Sequence, residues 1–218
     1  MNESLTEMAF VLDRSGSMGG HESDTIGGFN SLLSRQKEAP GQAIVSTVLF
    51  DHQIEWLHDR TDIRRIGPIT SHDYWVRGST ALLDAIGETI RRIDLAQHYA
   101  REEDVPAHTM VVVTTDGLEN ASRRFGSQEV KNLIHAHEER GWEFIFLGAN
   151  IDAVETGREI GFRADRSADF VLDSTGSGAA FDGVCKAASA VRAGTALGSD
   201  WRDGIDRDFD RRSGRGRS

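Results

Sequence analysis

Residues 8–17, Met-Ala-Phe-Val-Leu-Asp-Arg-Ser-Gly-Ser, decide the fold. Five apolar residues run directly into an Asp, and two Ser follow it at alternate positions. A short apolar run closed by a turn residue suits a strand buried on both faces, the environment of a parallel strand in an α/β sheet. The pattern recurs at 110–117, Met-Val-Val-Val-Thr-Thr-Asp-Gly. A third stretch, Gly78-Ser79-Thr80, opens an amphipathic helical pattern.

Working outward, strand-like runs fall at 8–12, 43–50, 54–57, 110–115, 143–147 and 169–172, each short and bounded by Gly, Asp or Asn. The second and third are separated only by Asp51-His52-Gln53, so they are expected to form an antiparallel hairpin. Helical periodicity appears in four sets: Ile26, Phe29, Leu32 and Leu33; Leu82, Leu83, Ile86, Ile90 and Ile93; Val130, Leu133, Ile134 and His137; and Phe181, Val184, Cys185, Ala188 and Val191. A shorter helix is expected between 153 and 161, whereas 58–77 and 94–109 read as connecting segments with some local helix. The fold class is therefore α/β: a doubly wound, mostly parallel sheet with one antiparallel edge strand and helices on both faces. Ligands of such sheets bind beyond the carboxyl ends of the parallel strands. Asp13 and Asp116 both follow parallel strands and share that edge, and Thr80, at a helix start, can reach it.

The three stretches bring Asp13, Ser15, Ser17, Thr80 and Asp116 to one place. Two carboxylates with three hydroxyls are what a hard, oxygen-seeking cation such as Mg²⁺ takes from a protein, with its other positions left to water or a ligand. Two aspartates neutralise the ion and hydroxyls add no charge, so the occupied site stays attractive to an incoming anion. The bland alternative assigns Ser15, Ser17 and Thr80 to helix capping and Asp116-Gly117 to a plain turn.

This constellation resembles the metal-ion-dependent adhesion site (MIDAS) of the von Willebrand factor A (VWA) domain family. The family pattern is Asp-x-Ser-x-Ser after the first strand, a Thr in a later loop and an Asp after a central strand, often as Thr-Asp-Gly. All five positions are filled here, by Asp13, Ser15, Ser17, Thr80 and Asp116. The resemblance, which extends over about residues 5–195, implies a Rossmann-like VWA fold and a bound Mg²⁺, with Mn²⁺ or Ca²⁺ as substitutes. It further implies a protein partner whose exposed Asp or Glu completes the coordination.

Composition narrows the function classes. The 218 residues carry a net charge of −10, the reverse of the basic balance that phosphate contacts require, so no nucleic-acid partner is expected. No apolar stretch approaches the roughly 20 residues needed to span a bilayer, and the acidic amino terminus lacks a signal-peptide pattern. A single cysteine, Cys185, excludes an internal disulfide and fits a reducing, cytoplasmic setting. The eight histidines include no zinc-binding spacing. Residues 1–198 are expected to form the VWA-like domain, and 199–218, rich in Arg, Asp and Gly, a disordered and dispensable tail.

Asp84 is a candidate to orient a ligand, Glu119 and Asn120 are candidates to rim the site, and Asp51 reads as a hairpin-turn residue without a function. The leading expectation is an intracellular, divalent-metal-dependent protein-binding module. A Mg²⁺-dependent phosphotransferase or phosphatase using Asp13 as nucleophile is the alternative, but its usual second Asp, the general acid, is replaced by Ser15, and no enzyme activity is expected. A domain whose metal merely stabilises the fold is the third reading.

Overall fold

The computed structural model describes residues 1–213. Six strands form one sheet: β1 (Asn2–Asp13), β2 (Gln42–Phe50), β3 (Ile54–Asp62), β4 (Pro106–Thr115), β5 (Glu143–Ala149) and β6 (Ser167–Phe170). Their order is β3-β2-β1-β4-β5-β6. Only β3 runs antiparallel, paired with β2 at the edge as the three-residue Asp51–Gln53 connection requires. The remaining pairs are parallel.

Side chains of the central strands alternate between two cores, as the two-residue repeat of a strand dictates. Met8, Phe10 and Leu12 join Met110, Val112, Ile145 and Leu147 on one face. There they meet α1 (Glu22–Glu38) through Phe29, Leu32 and Leu33, and α5 (Ser174–Arg192) through Phe181, Val184 and Val191. Ala9, Val11, Val111, Val113, Phe144 and Phe146 face the opposite side. They are covered by α2 (Leu82–His98), α3 (Ser127–Glu138) and α4 (Ala153–Ile160). Strands buried on both faces need continuous apolar runs, which is why 8–12 and 110–113 carry no polar residue.

The carboxyl-terminal segment corrects one expectation. Residues 199–213 are not disordered: a short 3-10 turn (Ser199–Arg202) leads into α6 (Asp203–Ser213). Trp201 and Ile205 are buried, 2% and 1% exposed, in the core beneath α5 and β6. The Trp201 indole donates to the Asp165 carbonyl at 3.0 Å. Arg212 reaches Asp173 Oδ2 at 2.5 Å, and Asp173 is the residue that caps α5. Trp201, Ile205 and Phe209 lie four residues apart, so one apolar stripe is enough to dock a helix otherwise made of Arg and Asp. The domain therefore extends beyond residue 198; the Arg-rich end, 214–218, lies outside the described residues.

Parts of the two segments read as connections, 58–77 and 94–109, are regular structure. β3 continues through Asp62, and α2 continues through His98.

Candidate metal centre

The strand order places the site. Chain connections leave β1 toward β2 and β4 toward β5, in opposite directions, so the loops after β1 and β4 part at the middle of the sheet and open a crevice at their carboxyl ends. Asp13 is the last residue of β1, and Asp116 directly follows β4.

Their side chains are linked by hydroxyls. Ser17 Oγ donates to Asp116 Oδ1 at 2.6 Å and lies 3.1 Å from Ser15 Oγ. Asp13 Oδ1 accepts the Ser15 amide at 2.7 Å, which folds the loop back on its own carboxylate. Asp13 Oδ2 accepts the Thr115 hydroxyl at 2.5 Å, and Thr115 Oγ1 in turn accepts the Gly117 amide at 3.2 Å. Thr80 lies on the other side of Gly117: a Cβ on Gly117 would stand 3.2 Å from Thr80 Oγ1, a tight approach, and 3.5 Å from Ser17 Oγ, an ordinary contact, so both hydroxyls border the same point of the third loop. Asp13, Ser15, Thr80 and Asp116 are buried, and Ser17 is exposed at the mouth.

Burial dominates the electrostatics. It pushes the Asp13 carboxyl up to about 6, despite hydrogen bonds from Thr115 and Ser15 that favour its charged form, and the nearby Asp116 charge adds to the rise. Asp116 is also raised by burial, with the Ser17 hydroxyl opposing. Two partly desolvated carboxylates share one crevice.

The loops are fixed by residues that the sequence reading passed over. Asp51, far from being a bare turn residue, is fully buried and gathers three hydrogen-bond donors. Arg14 Nε lies at 3.0 Å, Arg77 Nε at 2.7 Å and the Gln53 amide at 2.8 Å, with the His52 ring nitrogen Nδ1 standing 2.9 Å from the same carboxylate. Its own carbonyl accepts the Ala81 amide at 2.8 Å. Arg14 belongs to the first site loop, and Arg77 and Ala81 flank Thr80, so one carboxylate joins two of the three ligand-bearing segments. The backbones of these segments also meet directly, Gly16 donating to the Gly78 carbonyl at 3.1 Å and Arg77 to the Arg14 carbonyl at 2.9 Å. From below, the buried Tyr74 hydroxyl donates to the Asp13 carbonyl.

The loop after Asp116 holds the third segment. Helix α2 starts without a side-chain cap of its own, leaving its first amides in need of acceptors. Asn120 Oδ1 accepts the Thr80 amide at 2.9 Å, Glu119 Oε2 the Leu83 amide at 2.9 Å, and Ser122 Oγ the Asp84 amide at 3.0 Å. Asp84 reciprocates, its two oxygens accepting the amides of Arg123, Arg124 and Phe125 at 2.9 Å each. Asp84 and Glu119 thus spend their carboxylates on joining loop to helix. Among the described residues no three His, Cys, Asp or Glu side chains cluster as a metal site; the candidate set here has two carboxylates and three hydroxyls.

Comparison with known proteins agrees with this architecture. No family model matches the sequence, and no curated protein matches it. Similarity appears among solved structures. The VWA domain of the type V pilus tip protein Mfa5 from Porphyromonas gingivalis aligns at TM-score 0.61 and 11% identity, over 88% of this chain and 97% of that one. The chain has a VWA-like α/β fold. The SpRpn10 VWA domain aligns at 0.56 and 13% identity, over 79% of this chain and 92% of that chain. Proximal thread matrix protein 1 of the mussel byssus aligns at 0.56 and 15% identity over 85% of this chain, which spans less than half, 46%, of its length. At such identities the likeness concerns the fold.

Proposed function

We propose that this protein is a divalent-metal-dependent protein-binding module. Asp13, Ser15, Ser17, Thr80 and Asp116 would hold one Mg²⁺, with Mn²⁺ or Ca²⁺ as alternatives, as a MIDAS does. When bound, the ion supplies an electrophilic position for an Asp or Glu carboxylate of a protein partner.

The observation that carries this reading is the hydroxyl bridge from Asp116 through Ser17 to Ser15, set against Asp13 and Thr80 at the crevice between β1 and β4. All the donors are oxygens, and the two carboxylates are desolvated next to each other. A buried pair of like charges calls for a cation, and a set with two carboxylates leaves positions free for water or ligand. The chain's own residues then do three things. Asp13 and Asp116 supply the charge, the hydroxyls add neutral oxygens without quenching it, and Asp51 and Glu119 keep the loops in register.

No enzymatic role is proposed, because Ser15 stands where a transferase of this loop type needs a second carboxylate to move a proton. Buried, single Cys185 favours action in a reducing compartment such as the cytoplasm. Titration calorimetry with Mg²⁺ and Mn²⁺ tests the site. One ion per chain is expected to bind to the wild type, with binding abolished in Asp13→Ala and Asp116→Ala while both variants remain folded. Unchanged stoichiometry in the two variants refutes the assignment.

A further inference from the structure

Beside Thr80 lies a cleft of about 580 Å³ whose lining includes His52, Gln53, Ser79, Asn120, Arg123 and Arg124. Ser79 precedes Thr80, and Asn120 is bonded to the Thr80 amide, so the cleft shares a wall with the candidate metal centre. Its chemistry differs from the rest of the surface. The chain carries a net charge of −10, yet the exposed charged groups lining this cleft are arginines. The carboxylate in the lining, Asp84, is 7% exposed, and its oxygens are engaged by three backbone amides. Arg124 is tied to Glu88. His52 contacts Asp51 through Nδ1, while Gln53 Oε1 accepts from Arg77 at 3.3 Å. Arg123 alone among these cations spends only its backbone amide on the fold, and its guanidinium has no ion-pair or hydrogen-bond partner among the described residues. An exposed, uncommitted guanidinium beside hydroxyl and amide groups in a concave site is equipped to take a planar or tetrahedral anion.

We propose that this cleft is a second subsite, which takes another anionic side chain of the same partner segment and uses Arg123 as its specificity residue. The inference rests on the metal-dependent reading above and names the partner class more narrowly. The preferred ligand is an extended acidic segment in which one carboxylate goes to the metal and a neighbouring carboxylate or phosphate goes to Arg123. An acidic ligand approaching a chain of charge −10 meets general repulsion, and a cationic cleft next to the ion gives it one favoured register. Discrimination comes from the second charge, because a segment with a neutral or basic residue there leaves Arg123 unpaired or repelled.

Dye-labelled synthetic peptides in a Gly/Ser background test the inference by anisotropy with the full chain in excess Mg²⁺. One peptide carries a single Asp. The others add a Glu, a phosphoserine or a Lys about two to four residues away, a reach of ~7–14 Å in extended chain. The second anion is expected to tighten binding about tenfold, the worth of one hydrogen-bonded charge contact. Arg123→Ala should erase that gain while leaving the single-Asp peptide within about twofold, and Arg123→Glu should shift preference to the Asp–Lys peptide. The Glu and phosphoserine arms distinguish the two sources of the anion. A tenfold gain that survives Arg123→Ala overturns the subsite. Single-Asp binding that ignores EDTA and Asp13→Ala overturns the metal reading instead, and an Arg123-dependent gain in EDTA would leave the cleft standing without it. Absence of binding by every peptide overturns both.

Discussion

Asp51→Ala is the perturbation that tests whether the site is held from behind. In the native chain the Asp51 carboxylate and the Arg14 guanidinium are both fully buried, and Arg77 closes on the same oxygen at 2.7 Å. Desolvation raises the Asp51 pKa, but the Arg77 hydrogen bond, the Gln53 amide and the charges of Arg14 and Arg77 outweigh it, so the group sits below its ordinary 3.8. Such a lowered value means that the interaction is fully present at neutral pH and is lost only as pH falls below about 3.8 through the folded-state value. Truncation to Ala leaves Arg14 buried with Glu55 as its remaining acid, at 2.8 Å and itself half-exposed. Breaking a buried pair from one side typically costs about 3–5 kcal/mol, because a desolvated charge is left uncompensated. For a chain of this length that corresponds to a fall in Tm of roughly 6–20 °C. Urea unfolding at neutral pH measures the cost, and the paired variant Asp51→Ala/Arg14→Met should recover a large part of it by removing the stranded charge. A loss below about 1 kcal/mol for Asp51→Ala would refute the reasoning, since that is the worth of an exposed pair.

Ending the chain at residue 198 removes Trp201 and Ile205 from the core, at roughly 1.5–3 kcal/mol of burial each. The truncated chain should melt at least about 5 °C lower, and an unchanged Tm by calorimetry would mean that α6 does not dock. Glu7 supplies a pH test. It is buried on β1, with Arg60 Nε 2.8 Å away and Gln97 Nε2 at 2.9 Å, and burial raises its pKa above the ordinary 4.5 despite both partners. A raised acid contributes stability that is full below the unfolded value and is lost as pH rises through the folded one. The stability of Glu7→Gln relative to wild type should therefore improve as pH rises from about 4.5 toward neutrality. Unfolding curves across that range that show the variant worsening instead would mean that the Arg60 pair outweighs desolvation.

Much of the architecture was legible because it is written in short-range patterns. The apolar runs at 8–12 and 110–113 mark strands buried on both sides, and three residues between the second and third strands permit only a hairpin. The ligand candidates were legible because each sits at the end of such an element. What the sequence hid is long-range. Asp51, 37 residues from Arg14, looks like any turn aspartate until the fold brings it against two guanidinium groups. Glu119 and Asn120 look like ordinary loop polarity, yet Glu119 caps the Leu83 amide of a helix that began 37 residues earlier at Leu82, and Asn120 holds the Thr80 amide just ahead of it. Strand β1 starts at Asn2 although residues 2–7 are mostly polar: Leu5 onward pairs with β2, and the buried Glu7 finds Gln97 and Arg60. In the tail, a readable signal was outweighed: Trp201, Ile205 and Phe209 recur every four residues, but Arg and Asp dominate the composition around them.

The same long-range contacts explain why a binding site can be built from three turn-like motifs. Each motif alone is a flexible loop, and a metal that must order three loops would lose affinity to the entropy of doing so. Here the cost is met before any ligand arrives. Asp51 ties the first loop to the second, Asn120 and Glu119 tie the second to the third, and Thr115 with Ser17 ties the third back to the first. The closed circuit leaves the hydroxyls and the two carboxylates preorganised while Ser17 stays at the surface. Every fastening residue also spends its charge on the protein: Asp51 on arginines, Asp84 and Glu119 on backbone amides. Under the proposed reading, Asp13 and Asp116 would attract the cation and the Arg123 guanidinium would meet the acidic partner. A rim of satisfied carboxylates around two desolvated ones separates the groups that hold the site from the groups that would use it.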